Sequence, residues 1–200
     1  MRNFVRSIGL FRPLADQGDA DAQTTLGIMY QAGHGVPKDD AQAVKWFRLA
    51  ADQGHARAQT SLGTMYASGL GVPQDYAQAA KWYRLAADRG YARAQDYLGF
   101  MYQHGFGVSR DYAQAVQWYR LAADQANPSA QFHLGLMYDN GQGVPLDYVE
   151  AHKWFNLAAA GASDADTRKR AAKARDDRAW MMTPAQIAEA QKRASAWQPK

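Results

Sequence analysis

Residues 56–91 read ARAQTSLGTMYASGLGVPQDYAQAAKWYRLAADRGY, and the same pattern recurs at 20–55, 92–127 and 128–163. Its tryptophans, Trp46, Trp82, Trp118 and Trp154, are spaced 36 residues apart. A period between about 20 and 50 residues marks a repeat array, whose units cannot bury their own apolar faces and stack to close a continuous core. Such arrays bind other molecules along an extended surface far more often than they carry chemistry.

Each copy reads as two helices. Ala22, Leu26, Met29 and Tyr30 fall on one face of a helix, as do Ala43, Trp46, Phe47 and Ala50. Asp39, Asp75, Asp111 and Asp147 precede the second helices, and Gln42, Gln78, Gln114 and Glu150 follow three residues later. This is a capping-box pattern, with each cap contributing roughly 1 kcal/mol. Asn127-Pro128 supplies an N-cap and a proline at the first helical position. Between the helices come Gly33/Gly35, Gly69/Gly71, Gly105/Gly107 and Gly141/Gly143, suited to left-handed turns. Gly18, Gly54, Gly90 and Gly161 are expected to end the second helices in the same way, with Ala126 replacing a glycine in the third copy. Gly27 and Ala43 allow close helix approach, while Trp and Tyr fill the wider gaps. The Gly-x-Gly pairs follow a helix rather than a strand, so they read as hairpin turns and not as phosphate loops.

The constant frame, for example Ala58-Gln59-x-x-Leu62-Gly63-x-Met65-Tyr66, Gly69-x-Gly71-Val72-Pro73-x-Asp75-Tyr76 and Trp82-Tyr83-x-x-Ala86-Ala87, resembles the Sel-one-like repeat family, a relative of the tetratricopeptide repeats. Asp40 in place of the tyrosine of later copies and Ser109 in place of the loop proline are small departures. The resemblance implies an adaptor presenting a curved surface to protein partners. Bacterial members are often exported, some with envelope or host-contact roles, and a cysteine-rich branch is associated with β-lactam or peptidoglycan-fragment binding. This chain has no cysteine, so that activity does not carry over.

The expected fold is all-α: a right-handed superhelical α/α solenoid of four 36-residue helix-turn-helix repeats (20–55, 56–91, 92–127, 128–163). An N-terminal partial repeat or cap helix (1–19) precedes it and basic C-terminal capping helices (164–200) follow. Residues 10–19 align with 46–55, so the chain opens on a second helix; either this is a bare cap or the start lies upstream. Ser163 is expected to cap a basic helix to about Trp180. Thr183-Pro184-x-Gln186 opens a last helix with Ile187, Ala190, Gln191 and Ala194 as its stripe and Trp197 near its end.

Residues 1–163 carry 14 Lys/Arg and 14 Asp/Glu, whereas residues 164–200 carry 9 and 5. A neutral array does not suit a nucleic-acid track, which needs a basic stripe. In the C-terminal part Arg168, Lys169, Arg170, Lys173, Arg175 and Arg178 interleave with Asp164, Asp166, Asp176 and Asp177. That mixture reads as a solvated face, with peripheral contact as a lesser possibility. No apolar run reaches a transmembrane length or a secretory leader. The chain as written is expected to be cytoplasmic, or exported if upstream residues are missing.

No catalytic, metal or cofactor site is expected. His34, His55, His104, His133 and His152 occupy different repeat phases and lack ligand spacing on one helical face. The candidate partner-binding groove follows the flank of the first helices that varies between copies: Arg57, Arg93, Tyr97, Phe100, His104, His133 and Leu136. The expected function is a non-catalytic scaffold for a protein or peptide partner. The alternative is an envelope-associated binder, or weak hydrolase, of peptidoglycan-type ligands.

Overall fold

The computed structural model describes residues 2–200, with side chains from Ile8 onward, and among them it contains helices and no strand. The helices are α1 (Arg2–Asp16), α2 (Ala20–Ala32), α3 (Asp40–Asp52), α4 (Ala56–Ser68), α5 (Tyr76–Ala87), α6 (Ala92–His104), α7 (Tyr112–Asp124), α8 (Pro128–Asn140), α9 (Tyr148–Gly161), α10 (Ala165–Ala179) and α11 (Pro184–Ala196). The chain forms two compact units. Unit 1 holds residues up to Ala94 with Phe106–Val108, and unit 2 holds Gln95–Gly105 with Ser109–Lys200. In unit 1 each helix from α1 to α5 packs on the next. In unit 2 α7 packs on α8, α8 on α9, and α9 is covered by α10 and α11. This is the consecutive packing of an α/α solenoid.

A ring laid on a glycine joins the two helices of each hairpin. A Cβ built on Gly27 would lie 2.5 Å from the Phe47 ring, and Gly63, Gly99 and Gly135 face Tyr83, Tyr119 and Phe155 in the same way. Phe47, Tyr119 and Phe155 are fully buried; of the tryptophans preceding the rings, Trp46 and Trp154 are buried and Trp82 and Trp118 only partly so.

The capping chemistry is half as expected. Asp39, Asp75, Asp111 and Asp147 each accept from the backbone N–H three residues on, at 2.9–3.0 Å. The reciprocal half of the box is absent, because each aspartate's own N–H donates to a tyrosine carbonyl of the first helix: Tyr30, Tyr66, Tyr102 and Tyr138. With that donor already satisfied, the glutamine side chain has nothing to accept there. A full box forms at Thr183 and Gln186.

Two expectations at helix ends and one about the last helix's buried stripe are corrected. Gly161 stays helical and α9 ends on an extended Ala162, so no left-handed turn forms there. Asp164, not Ser163, caps α10, accepting from Thr167 N at 2.7 Å; a carboxylate at the helix N-terminus is also favoured by the backbone dipole. Gln191 is exposed, and the buried residues of the last segment are Met182, Ala190 and Ala194. The basic face of α10 is largely paired: Lys173 with Asp177 at 2.6 Å, Arg175 with Asp176 at 2.8 Å, and Arg178 with Asp139 of α8 at 2.5 Å.

Two substitutions test this account. In a helix, alanine is favoured over glycine by about 1 kcal/mol, yet Gly99→Ala should destabilise by about 2 kcal/mol because Tyr119 cannot retreat from its site. Ala126 sits at φ 59° where earlier copies have glycine, so Ala126→Gly should stabilise by about 1 kcal/mol. Urea unfolding midpoints at constant slope measure both; a more stable Gly99→Ala protein would refute the ring–glycine constraint.

Candidate functional site

The variable flank of the first helices gives each unit its own patch. In unit 1, Arg57 stands in the first turn of α4 and Arg93 in the first turn of α6, both exposed. They line one cavity of about 230 Å³ with Ile28, Ser61, Thr64 and Tyr91. The lining holds two guanidinium groups and several hydroxyls, and no carboxylate. Guanidinium forks match carboxylate geometry, so the chemistry of this cavity suits an anionic group.

In unit 2 the patch is aromatic. Phe100 lies 38% exposed on α6, with its ring 4.3 Å from His104 and 6.3 Å from His133. Tyr97 is half-buried on the same helix, and Leu136 of α8 packs on the cluster around Phe132 and Phe155. All the residues expected in the groove are therefore present at or near the surface. Arg57 and Arg93 share a cavity, and Phe100, His104 and His133 form a ring cluster.

Beneath that cluster lie two residues the sequence pattern did not single out. Asp96 is buried, and its carboxylate accepts from His133 Nδ1 at 2.8 Å, which leaves Nε2 of that ring as the acceptor when the imidazole is neutral. The Tyr119 ring lies 5.0 Å from His133, and its hydroxyl donates to Gln103 at 2.7 Å. Burial, then the Asp96 charge, pushes the Tyr119 phenol well above its ordinary range. It therefore stays a neutral donor. Asp96 occupies the repeat position of Thr24, Thr60 and Phe132, and an aspartate in that column was the available signal. The pair has the form of an Asp–His dyad. Tyr119 directs its hydroxyl to Gln103 rather than to the imidazole, so its geometry does not complete a nucleophilic triad. Among the described residues no group of three or more His, Cys, Asp or Glu is arranged to hold a metal ion. No helix there is long and apolar enough to cross a membrane.

Two histidines of unit 2 are held towards the neutral form. Burial, then the charge of His133, lowers His104; burial, then Arg175, lowers His152. His152 stands where other copies have Val44, Ala80 and Val116, and its Nδ1 lacks a hydrogen-bond partner.

The four repeats match the Sel1 repeat model at residues 20–55, 56–91, 92–127 and 128–163. A Sel1 repeat protein from Oxalobacter formigenes is 30% identical, covering 98% of this chain and 77% of its own, with a TM-score of 0.81. A protective antigen present in uropathogenic Escherichia coli strains, displaying an SLR fold, is also 30% identical with a TM-score of 0.74 over 96% of this chain. The chain spans about half of that antigen, 49% of its length. An immunity protein from Pseudomonas aeruginosa, 17% identical over 98% of this chain and 78% of its own with a TM-score of 0.58, shares the fold. No curated protein matches the chain significantly in sequence.

The lowered histidines set a sign for pH dependence. As pH falls through about 6.5, the unfolded chain takes up these protons first, so stability is full above that value and declines below it. Thermal midpoints should fall between about pH 7.5 and pH 5.5, and His152→Val should flatten the decline. An unchanged slope in that variant would show that His152 does not contribute.

Proposed function

The chain belongs to the Sel1 repeat family, whose members are generally protein-interaction scaffolds, and we propose that it binds a protein partner through the variable flank of its first helices. The observation that carries this reading is the cavity shared by Arg57 and Arg93, two arginines at equivalent positions of consecutive copies, with hydroxyl side chains beside them and no carboxylate. The complementary group on a partner is an exposed Asp or Glu side chain or a chain-terminal carboxylate. In unit 2, Tyr97, Phe100, His104, His133 and Leu136 supply the aromatic and apolar side chains that serve as anchors in protein interfaces. The mechanism is recognition by shape and side-chain chemistry with no covalent step. Asp96 positions the His133 imidazole beneath the Phe100 ring and so stiffens the patch.

The test uses two variants that alter only exposed or half-exposed side chains, Arg57→Glu/Arg93→Glu and Tyr97→Glu/Phe100→Glu, each checked for unchanged helicity by circular dichroism. A partner captured by the parent chain should lose at least tenfold in affinity to either variant, and the loss at the arginines should shrink as salt is raised. A partner that binds both variants at parental strength would move the interface off this flank. Saturable binding of muramyl-peptide fragments without capture of any protein would replace the scaffold reading with that of an envelope-ligand binder.

A further inference from the structure

A groove on the opposite register of the repeat is found in two copies 72 residues apart, built from positions that recur every 36 residues, and in one of these copies the protein itself shows what fits it. In unit 2 the groove is formed by Arg120, Asp124, Tyr138, Glu150 and Trp154, and the chain's own last residues, Trp197 to Lys200, lie along it. Trp197 stands edge-on to Trp154, with centroids 6.1 Å apart and planes at 71°. Lys200 donates through Nζ to the Asp124 carboxylate and through its backbone N–H to the Asp124 carbonyl, both at 2.8 Å. An aromatic anchor and a lysine three residues later thus hold an extended tail.

In unit 1 the same repeat positions carry Arg48, Asp52, Tyr66, Gln78 and Trp82. The floor is prebuilt alike: Arg48 donates to the Tyr66 hydroxyl, as Arg120 does to Tyr138 at 2.5 Å. The cavity there is lined by Arg48, Tyr66, Pro73, Gln74, Asp75, Gln78 and Trp82. It measures about 590 Å³ against about 260 Å³ in unit 2, Trp82 is partly exposed where Trp154 is buried, and Asp52 is exposed. Arg193 of α11 pairs with Glu150 at 2.8 Å, whereas Gln78 offers no charge to hold such a helix. The open copy therefore suits an extended strand of peptide rather than a helix.

We propose that the groove lined by Arg48, Tyr66, Gln78 and Trp82, with Asp52 at the repeat position of Asp124, binds a partner peptide carrying an aromatic side chain followed three residues later by a lysine. The ring packs against Trp82 and the ammonium pairs with Asp52, repeating the contacts of Trp197 and Lys200. The partner is a different chain, because the tail of each copy is already engaged on its own groove. The inference rests on the scaffold reading but uses none of the Arg57, Arg93 or Phe100 flank.

The probe is a fluorescein-labelled hexapeptide Ser-Ala-Trp-Gln-Pro-Lys titrated into the full chain, followed by anisotropy and by the indole N–H resonances. Saturable binding that shifts Trp82 is expected, with Asp52→Lys or a Lys-to-Glu change in the peptide weakening it at least tenfold. Arg57→Glu/Arg93→Glu should leave it unchanged, which separates this groove from the first-helix flank. Absence of saturable binding, binding indifferent to Asp52→Lys, or shifts confined to Trp154 through displacement of the resident tail would each overturn the proposal. Self-association of the chain that disappears on deleting residues 197–200 would assign the groove to a second copy and overturn the partner assignment.

Discussion

Everything in each hairpin depends on one steric relation, an aromatic ring lying on the Cα of a glycine. The separation at Gly27, Gly63, Gly99 and Gly135 leaves no room for a methyl group, so the ring sets how closely the two helices approach. That distance places the tyrosine carbonyl at the end of the first helix within reach of the aspartate N–H that opens the second, 2.9–3.1 Å in all four copies. The aspartate side chain is then left to serve the second helix alone. Ring, loop closure and cap are successive consequences of a single approach distance.

Stacking within each unit uses polar chemistry as well as apolar burial. Gln23 and Gln59 donate from buried side chains to the Ala15 and Ala51 carbonyls of the preceding helix at 3.0 and 3.1 Å, and Gln131 does the same to Ala123 at 3.3 Å. Each of these carbonyls also accepts a backbone N–H, from Gly18, Gly54 and Ala126 respectively, so the glutamine takes up a second lone pair and satisfies its own buried amide. The glutamine of the Ala-x-Ala-Gln frame therefore ties one repeat to the helix end before it at these three joints. The second loop glycine has a similar office: a Cβ on Gly71 would meet the Asp40 carbonyl at 2.3 Å, and Gly143 faces Tyr112 likewise. Backbone packs directly on backbone at these joints.

Periodicity made the helices, the caps and the glycine turns legible, because each is a local rule repeated four times. What it hid is instructive. The reciprocal capping bond failed because its donor is taken by a residue nine positions earlier, Tyr30 for Asp39, which no local motif encodes. Gly161 looked like its counterparts, but α10 and α11 pack on α9 and the chain leaves in an extended direction instead of turning. The Asp96–His133 pair joins positions 37 residues apart that differ in repeat phase. Such a contact is invisible when copies are aligned only on what they share. The surface stripe was legible as variation, since Arg57, Arg93, Tyr97 and Phe100 are not needed by ring, glycine, glutamine or cap.

That division of labour explains how an array can keep its fold while its surfaces diverge. The ring–glycine pairs, the glutamines and the capping aspartates fix the backbone, and none of them draws on the outward flank of the first helices. The terminal segment shows the opposite case. An array must cover its last apolar face, and here α10 and α11 do so while the residues after them run on into a repeat groove. Closing the core therefore uses up one copy of a surface that recurs elsewhere in the chain. Trp154, shielded by Trp197, is buried, while Trp82 keeps part of its ring exposed. Both tryptophans sit beside an arginine–tyrosine pair, and they differ in what covers them and in the Gln78 or Glu150 beside them. A repeat position can be buried at the end of an array and stay partly exposed within it, and the local sequence of the repeat alone does not decide which.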